Sequence, residues 1–118
     1  MEEEKETHRT KREAAERYIE YLGKLDVLIK SRKRELPMLS GKERETAEAQ
    51  IARLIAERRK RLSVIELLPA KDCDLLLRLY VDGSTFKELA RHFDRSYDWV
   101  KKNKRAALER LGEILFKV

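Results

Sequence analysis

Apolar residues recur at alternating steps of three and four along the first third of the chain, beginning near Lys11. This spacing is the heptad pattern of a coiled-coil helix, whose apolar stripe faces a partner helix. No proline interrupts it before Pro37, so the sequence predicts one long helix after a frayed acidic start over residues 1–7. The stripe consists of Ala15, Tyr18, Leu22, Leu25, Ile29 and Leu36, with Arg32 in the remaining slot.

A second heptad run lies between Pro37 and Pro69. Ser40 is a favourable N-cap for it, and Glu43 completes a predicted capping box. Two long amphipathic helices joined by a short loop pack as an antiparallel hairpin, which we expect here. Each stripe holds one arginine, Arg32 in the first and Arg58 in the second. Such a residue either specifies how the two helices pair or extends its guanidinium group to solvent, and we favour extension to solvent. The second stripe consists of Ala47, Ile51, Leu54, Ile55, Arg58, Leu62 and Ile65.

Three shorter helices are predicted after Pro69. The acids Asp72 and Asp74 lie in the first turn of the first of these helices, where the helix dipole favours negative charge. Thr85 and Glu88 form a capping box, and Ser96 is the N-cap of the last helix. The predicted spans are Ala70–Val81, Thr85 to about Phe93, and Tyr97 to about Leu115.

The composition supports an all-α fold and a reducing environment. Four glycines and two prolines among 118 residues disfavour a sandwich or barrel, which needs a turn about every 8–12 residues. The longest stretch without charge, residues 36–41, is too short for a membrane helix or the apolar core of a signal peptide. The single cysteine, Cys73, cannot form an internal disulfide. We therefore expect a cytoplasmic protein that does not contact a membrane.

The charge pattern indicates an acidic partner for the last helix. The chain holds 28 Lys and Arg against 22 Asp and Glu, a net charge of +6. Lys101, Lys102, Lys104 and Arg105 lie within five residues, on a helix that follows a short helix and a tight turn. A helix-turn-helix presents itself to DNA phosphates in this way. The alternative is an ordinary solvated face whose charge is balanced by distant acids.

Residues 75–111 resemble the C-terminal helix-turn-helix of bacterial sigma factors, region 4, which reads the −35 promoter element. Leu75 and Leu79 match its scaffold helix, and Ala90 matches the small residue where its two helices cross. Ser96 matches the cap of the recognition helix. The chain departs from the pattern at Asp94, where many such turns carry glycine, and at Lys104, where an apolar residue is common. Further matches are Thr85 to Leu89 in the first helix and Val100, Ala107, Leu108 and Leu111 in the second.

The whole chain is similar, in architecture and length, to phage and prophage transcriptional regulators of the ArpU/RinA type. That resemblance implies control of late phage genes. We therefore predict an all-α protein with an N-terminal antiparallel coiled-coil helical hairpin and a C-terminal sigma-like helix-turn-helix. The hairpin, residues 1–69, would serve oligomerisation or partner contact, and residues 70–118 would bind duplex DNA in the major groove.

Residues just after the cap read bases in sigma-type motifs, which implies that role for Tyr97, Asp98 and Lys101, with Lys102 beside them. In that role Asp98 can accept from the cytosine amino group, Lys101 can donate to guanine, and Tyr97 can contact a thymine methyl group or a phosphate. An acid in the first turn also complements the helix dipole, and both roles are open for Asp98. The candidates for phosphate contact, with plain solvent exposure as the alternative, are Arg91, Arg95, Lys87 and Arg105.

The remaining reactive side chains indicate no chemistry. Trp99 is expected to pack rather than to stack on bases, and His92 to end a surface helix. Cys73 has acids on both sides, which disfavours a thiolate. No catalytic triad, paired-carboxylate site or glycine-rich phosphate loop is present in the sequence, so we predict neither an enzyme nor a cofactor or metal.

The function predicted from the sequence is sequence-specific transcription regulation by a homo-oligomer, with RNA polymerase as a second candidate partner. Tyr21, Leu28 and Leu54 flank the two stripes and either face a second copy or widen the internal seam. One alternative is a phage small terminase subunit, which also joins a helix-turn-helix to helical hairpins. The other is an adaptor that binds RNA polymerase and reads no DNA.

Overall fold

The computed structural model describes residues 2–117, and the side chains of residues 7–117. Within that range the chain forms α-helices and one 3-10 turn, with no strand, which confirms the all-α prediction. Few breaks and continuous 3.6-residue periodicity favour this outcome. The helices are α1 (Glu2–Glu35), α2 (Gly41–Ile65), α3 (Ala70–Tyr80), α4 (Phe86–Phe93) and α5 (Tyr97–Leu115), and the 3-10 turn is Leu36–Met38.

Two details at the helix ends differ from the prediction. The backbone is helical from Glu2, where a frayed start was expected. Ser40 is the N-cap of α2 and has an extended backbone, but its side chain accepts no hydrogen bond, so the capping box with Glu43 is wrong. The next residue, Gly41, has a φ of 58°, outside the helical geometry that the box requires.

Helix α2 runs antiparallel along α1. Arg58 of α2 donates to Asp26 of α1, and Arg61, three residues later, donates to the Tyr18 carbonyl oxygen at 3.2 Å. Later residues of α2 thus meet earlier residues of α1. The preference for Arg58 extending freely to solvent is wrong, since it pairs with a carboxylate across the two helices, whereas Arg32 is exposed.

The main core is built where α1 crosses the other helices. Ile19 is fully buried in it, whereas the predicted stripe residue Tyr18 is only half-buried under the Arg61 guanidinium group. Full burial of Tyr18 would require a partner for its hydroxyl group, and Ile19 has no such cost. The buried members of this cluster are Ala15, Ile19, Leu22, Ile65, Leu68, Leu76, Ala107, Leu108 and Leu111.

A second, smaller cluster joins α3, α4 and α5. Its buried members are Leu75, Leu89 and Val100, and Trp99 packs at its edge. The main core also includes residues on both sides of position 69, because α1 and α2 pack on α3 and α5. The predicted domain boundary between residues 69 and 70 stays a prediction.

Glycine allows α1 to approach its neighbours closely at two places. A Cβ on Gly112 of α5 would lie 2.7 Å from the Lys11 carbonyl oxygen of α1. A Cβ on Gly23 of α1 would clash with the Tyr80 carbonyl oxygen at the end of α3. Both contacts are with backbone, so these positions set how tightly α1 packs.

Among residues 2–117 no helix is both long enough and apolar enough to cross a membrane.

Candidate nucleic-acid interface

The segment that joins α4 to α5 is held by local hydrogen bonds on both sides. The Glu88 N–H donates to the Thr85 hydroxyl oxygen and the Thr85 N–H donates to the Glu88 carboxylate, each at 3.1 Å, so the predicted capping box is confirmed. The bond from the Thr85 backbone lowers the pKa of Glu88. Asp94 takes the left-handed conformation with φ 52°, as its side chain tolerates. Ser96 then caps α5 by accepting from the Trp99 N–H at 3.1 Å.

Four of the predicted contact residues share one exposed face of α5. Asp98, Lys101, Lys102 and Arg105 follow the spacing i, i+3, i+4 and i+7, which places them along one side of a helix. The buried residues of α5 lie on another side and anchor it to both cores. This surface, called the α5 face below, carries three cationic groups and one acid.

Tyr97 lies at the start of the α5 face and contacts α4. The residue is 54% exposed, and its ring packs edge-on against Phe86, with 5.3 Å between centroids. The Lys101 ammonium group lies 5.8 Å from the Tyr97 ring centre. The ring therefore has a defined position beside the cationic residues and an accessible surface.

The four predicted phosphate contacts are more dispersed. Arg105 pairs with Glu109 at 3.5 Å and is 69% exposed. Arg95 lies in the turn with its guanidinium group 5.6 Å from the Trp99 ring centre. Lys87 and Arg91 are four residues apart on an exposed side of α4. Among the described residues, no hydrogen bond or ion pair joins them to the α5 face.

Trp99 is a packing residue, as expected. Its ring is tilted against Phe93 at 5.4 Å, and the Lys71 ammonium group lies 5.6 Å from its centre. Lys71 also donates to the Asn103 side-chain oxygen at 2.8 Å, while the Asn103 amide donates to the Trp99 carbonyl oxygen. Lys71 is thus a further cation beside α5. Sequence reasoning missed it because it lies 32 residues from Asn103.

An ion pair between an exposed arginine and a buried aspartate joins α5 to α3. Asp72 is fully buried, and Arg110 donates to its Oδ2 at 2.6 Å, whereas its buried Oδ1 has no partner within the described residues. The role predicted for Asp72 was only to complement the helix dipole. The sequence gives no signal for this pair, because Arg110 and Asp72 lie 38 positions apart.

A second polar contact links α3 to α4. His92 Nε2 and Asp74 Oδ2 are 2.9 Å apart, so His92 has a specific partner in addition to ending the helix. Burial favours a higher pKa for Asp74, but the hydrogen bonds from His92 and Arg78 outweigh it and lower that pKa.

Burial raises the pKa of Cys73, which keeps its thiol protonated in line with its predicted inertness.

Lys104 contacts several groups. Its ammonium group lies 3.7 Å from a Glu16 carboxylate oxygen and above the rings of Tyr80 and Phe86, at 5.8 and 5.3 Å. Tyr80 donates to the same carboxylate group at 2.5 Å, and its burial raises its pKa. The departure of Lys104 from the sigma-like pattern is therefore accommodated by α1, which supplies Glu16.

In the part of the chain whose side chains are described, no group of three His, Cys, Asp or Glu side chains is arranged to hold a metal ion. No protein-family model, curated protein or solved structure matches the chain.

Proposed function

We propose that the protein is a sequence-specific DNA-binding transcriptional regulator. In this proposal α4 and α5 form a sigma region 4-like helix-turn-helix, and α5 enters the major groove. The observation that carries the proposal is the α5 face, where three cationic groups lie beside exposed Tyr97 on a helix with a capped start. Cationic groups neutralise phosphates, and side chains near the start of a recognition helix reach base edges.

The eight predicted contacts divide into two functional classes. Tyr97, Asp98 and Lys101, with Lys102 beside them, would read bases. Phosphate contacts would come from Arg105, Arg95, Arg91 and Lys87, which set orientation and affinity. The antiparallel α1 and α2 form the proposed coiled-coil hairpin, for oligomerisation or contact with RNA polymerase, in the manner of a phage or prophage late-gene regulator.

A homo-oligomer would supply the specificity that one recognition helix lacks, since a single helix covers only about half a turn of the major groove. Tyr21 and Leu28 are each 39% exposed on α1, which leaves apolar surface for a second copy. Sedimentation of the full chain tests this proposal. A monomer at every concentration used for DNA binding would contradict it.

Selection from a randomised duplex library, followed by binding titrations at several salt concentrations, tests the DNA proposal. Lys101→Ala should relax the preference at one base position and cost about 1–3 kcal/mol on the selected site. Arg105→Ala should weaken all sequences alike and reduce the salt slope by about one phosphate contact. Lys60→Ala, on exposed surface of α2, is the matched control and should change neither. A library without sequence preference would contradict the base-reading roles.

Footprinting combined with transcription in vitro distinguishes the proposed regulator from its alternatives. A regulator should occupy a discrete site upstream of a promoter and change transcript output there. A footprint within terminase genes without a transcript change would favour a packaging protein. Activation without any footprint from the protein alone would favour a polymerase-binding adaptor.

A further inference from the structure

A cleft of about 220 Å³ opens beside the α5 face, at the junction of α1, α4 and α5. Phe86 and Leu108 supply its apolar lining, and Arg12, Lys101 and Arg105 supply cationic groups. Arg12 belongs to α1, in the proposed hairpin, whereas Lys101 and Arg105 belong to the α5 face. The cleft thus joins the hairpin to the proposed DNA-reading surface.

The cleft has an excess of positive charge. Besides those three cations it is lined by Lys104 and by two acids of α1, Glu13 and Glu16. Glu16 is engaged by Lys104 and by the Tyr80 hydroxyl group. Glu13 pairs with Arg9 at 3.1 Å, one helical turn earlier in α1. The acids are therefore occupied, and Lys101 has no carboxylate partner within the described residues.

One carboxylate serves the two guanidinium groups of the cleft. Glu109 Oε1 lies 3.2 Å from Arg12 and 3.5 Å from Arg105. A single negative charge shared by two arginines leaves a positive charge that is not neutralised. Arginine forks fit the oxygens of a phosphate group well, so Arg12 and Arg105 are suited to exchange Glu109 for a phosphate.

We propose that this cleft binds a backbone phosphate of the DNA duplex, with Arg12 as a direct contact from α1 and Glu109 as an intramolecular competitor. The inference rests on the proposed DNA binding and deepens it. It makes α1 part of the DNA interface, so the hairpin would orient the duplex as well as contact partners. Because the ligand is a phosphodiester, the contact carries no base preference.

Arg12→Ala is the direct test, in titrations of the full chain with a random-sequence duplex. The affinity should fall roughly 10-fold, and the slope of log K against log salt should decrease by at most about 0.9, the amount for one phosphate contact, because Arg105 still reaches the same phosphate. Arg17→Ala removes the same charge from an exposed position of α1 outside the cleft and should leave the slope unchanged. Equal slopes and affinities for the two variants would overturn the cleft proposal.

Glu109→Gln tests the competitor role and keeps a hydrogen-bond acceptor in place. The affinity should rise about 3-fold, because one negative charge about 6 Å from a phosphate costs that much in water. Glu113→Gln is the matched control, since Glu113 lies one turn further along α5 and pairs with Lys11 at 3.2 Å and with His8, rather than with the arginines of the cleft. A gain equal to that of the control, or a loss, would overturn the competitor role.

The outcomes separate this inference from the proposal on which it rests. If the wild-type chain binds no duplex even at low salt, both fail. If it binds with the Lys101 and Arg105 effects described above, but Arg12→Ala behaves as Arg17→Ala does, only the cleft proposal fails. Should Arg12→Ala unfold the protein, Glu109→Gln still decides, because a gain in affinity cannot arise from unfolding.

Discussion

Replacement of Gly112 by alanine tests how closely α1 and α5 must approach. Gly112 is buried in α5, and an added Cβ would lie 2.7 Å from the Lys11 carbonyl oxygen and 2.9 Å from its carbonyl carbon. These are backbone atoms of α1, so no side-chain rotation relieves the overlap. The two helices must move apart by several tenths of an ångström to reach ordinary van der Waals separation.

Two opposing effects set the magnitude. Alanine is favoured over glycine inside a helix by about 0.8–1.0 kcal/mol, which alone would stabilise the variant. Overpacking a close-packed contact costs about 1–3 kcal/mol, and rigid backbone places this site near the upper end. The separation also weakens neighbouring contacts, including the 3.2 Å pair between Arg12 and Glu109. We expect a net loss of about 2 kcal/mol, or a decrease in Tm of about 8 °C.

Thermal and urea unfolding, followed by far-ultraviolet circular dichroism, measure this loss. Ala52→Gly, at an exposed position of α2, measures the helix-propensity contribution in this protein and should cost about 1 kcal/mol. Gly23→Ala should also destabilise, since its Cβ meets the Tyr80 carbonyl oxygen. A Gly112→Ala variant as stable as the wild type, or more stable, would refute the reasoning, because helix propensity would then outweigh the contact.

Three further predictions concern stability. Arg110→Ala leaves the buried Asp72 carboxylate without its cation and should lower the free energy of unfolding in urea by about 3 kcal/mol. Asp72→Asn in the same background should recover part of the loss, and an unchanged urea midpoint for Arg110→Ala would refute the prediction. The pKa of Asp74 is lowered in the fold, so its ionised carboxylate contributes to the free energy of unfolding. That contribution is present above about pH 4 and is lost as pH falls through the pKa of the folded state. Asp74→Asn should therefore lose less stability than the wild type between about pH 5 and pH 2, and parallel losses would contradict this. A 70–118 fragment should melt well below the full chain, since much of its core packs on α1; equal midpoints would show independent folding.

Local signals in the sequence specify the ends of the C-terminal helices. The signals are the capping box of Thr85 and Glu88, the left-handed Asp94, and the N-cap Ser96. Each acts on backbone groups close in sequence, so its role requires no knowledge of distant packing. The α5 face is predictable for the same reason, because helical spacing alone places Lys101 and Arg105 together. Ser40 shows the limit of such signals, since the φ of Gly41 prevents its capping bond.

Contacts between distant segments are decided by the tertiary structure. Periodicity could not distinguish Ile19 from Tyr18 as the core residue of α1, because both lie near the stripe and the choice depends on whether a hydroxyl group must be buried. The Asp72–Arg110 pair joins residues 38 positions apart, and the cleft brings Arg12 within 3.2 Å of Glu109. The sequence by itself determined which residues form helices and which faces they expose, since those follow from hydrogen bonds and periodicity within one segment. Only the packing of the helices against one another determined which charges are paired, buried or left free, because Coulomb and desolvation energies depend on distances that no local pattern encodes.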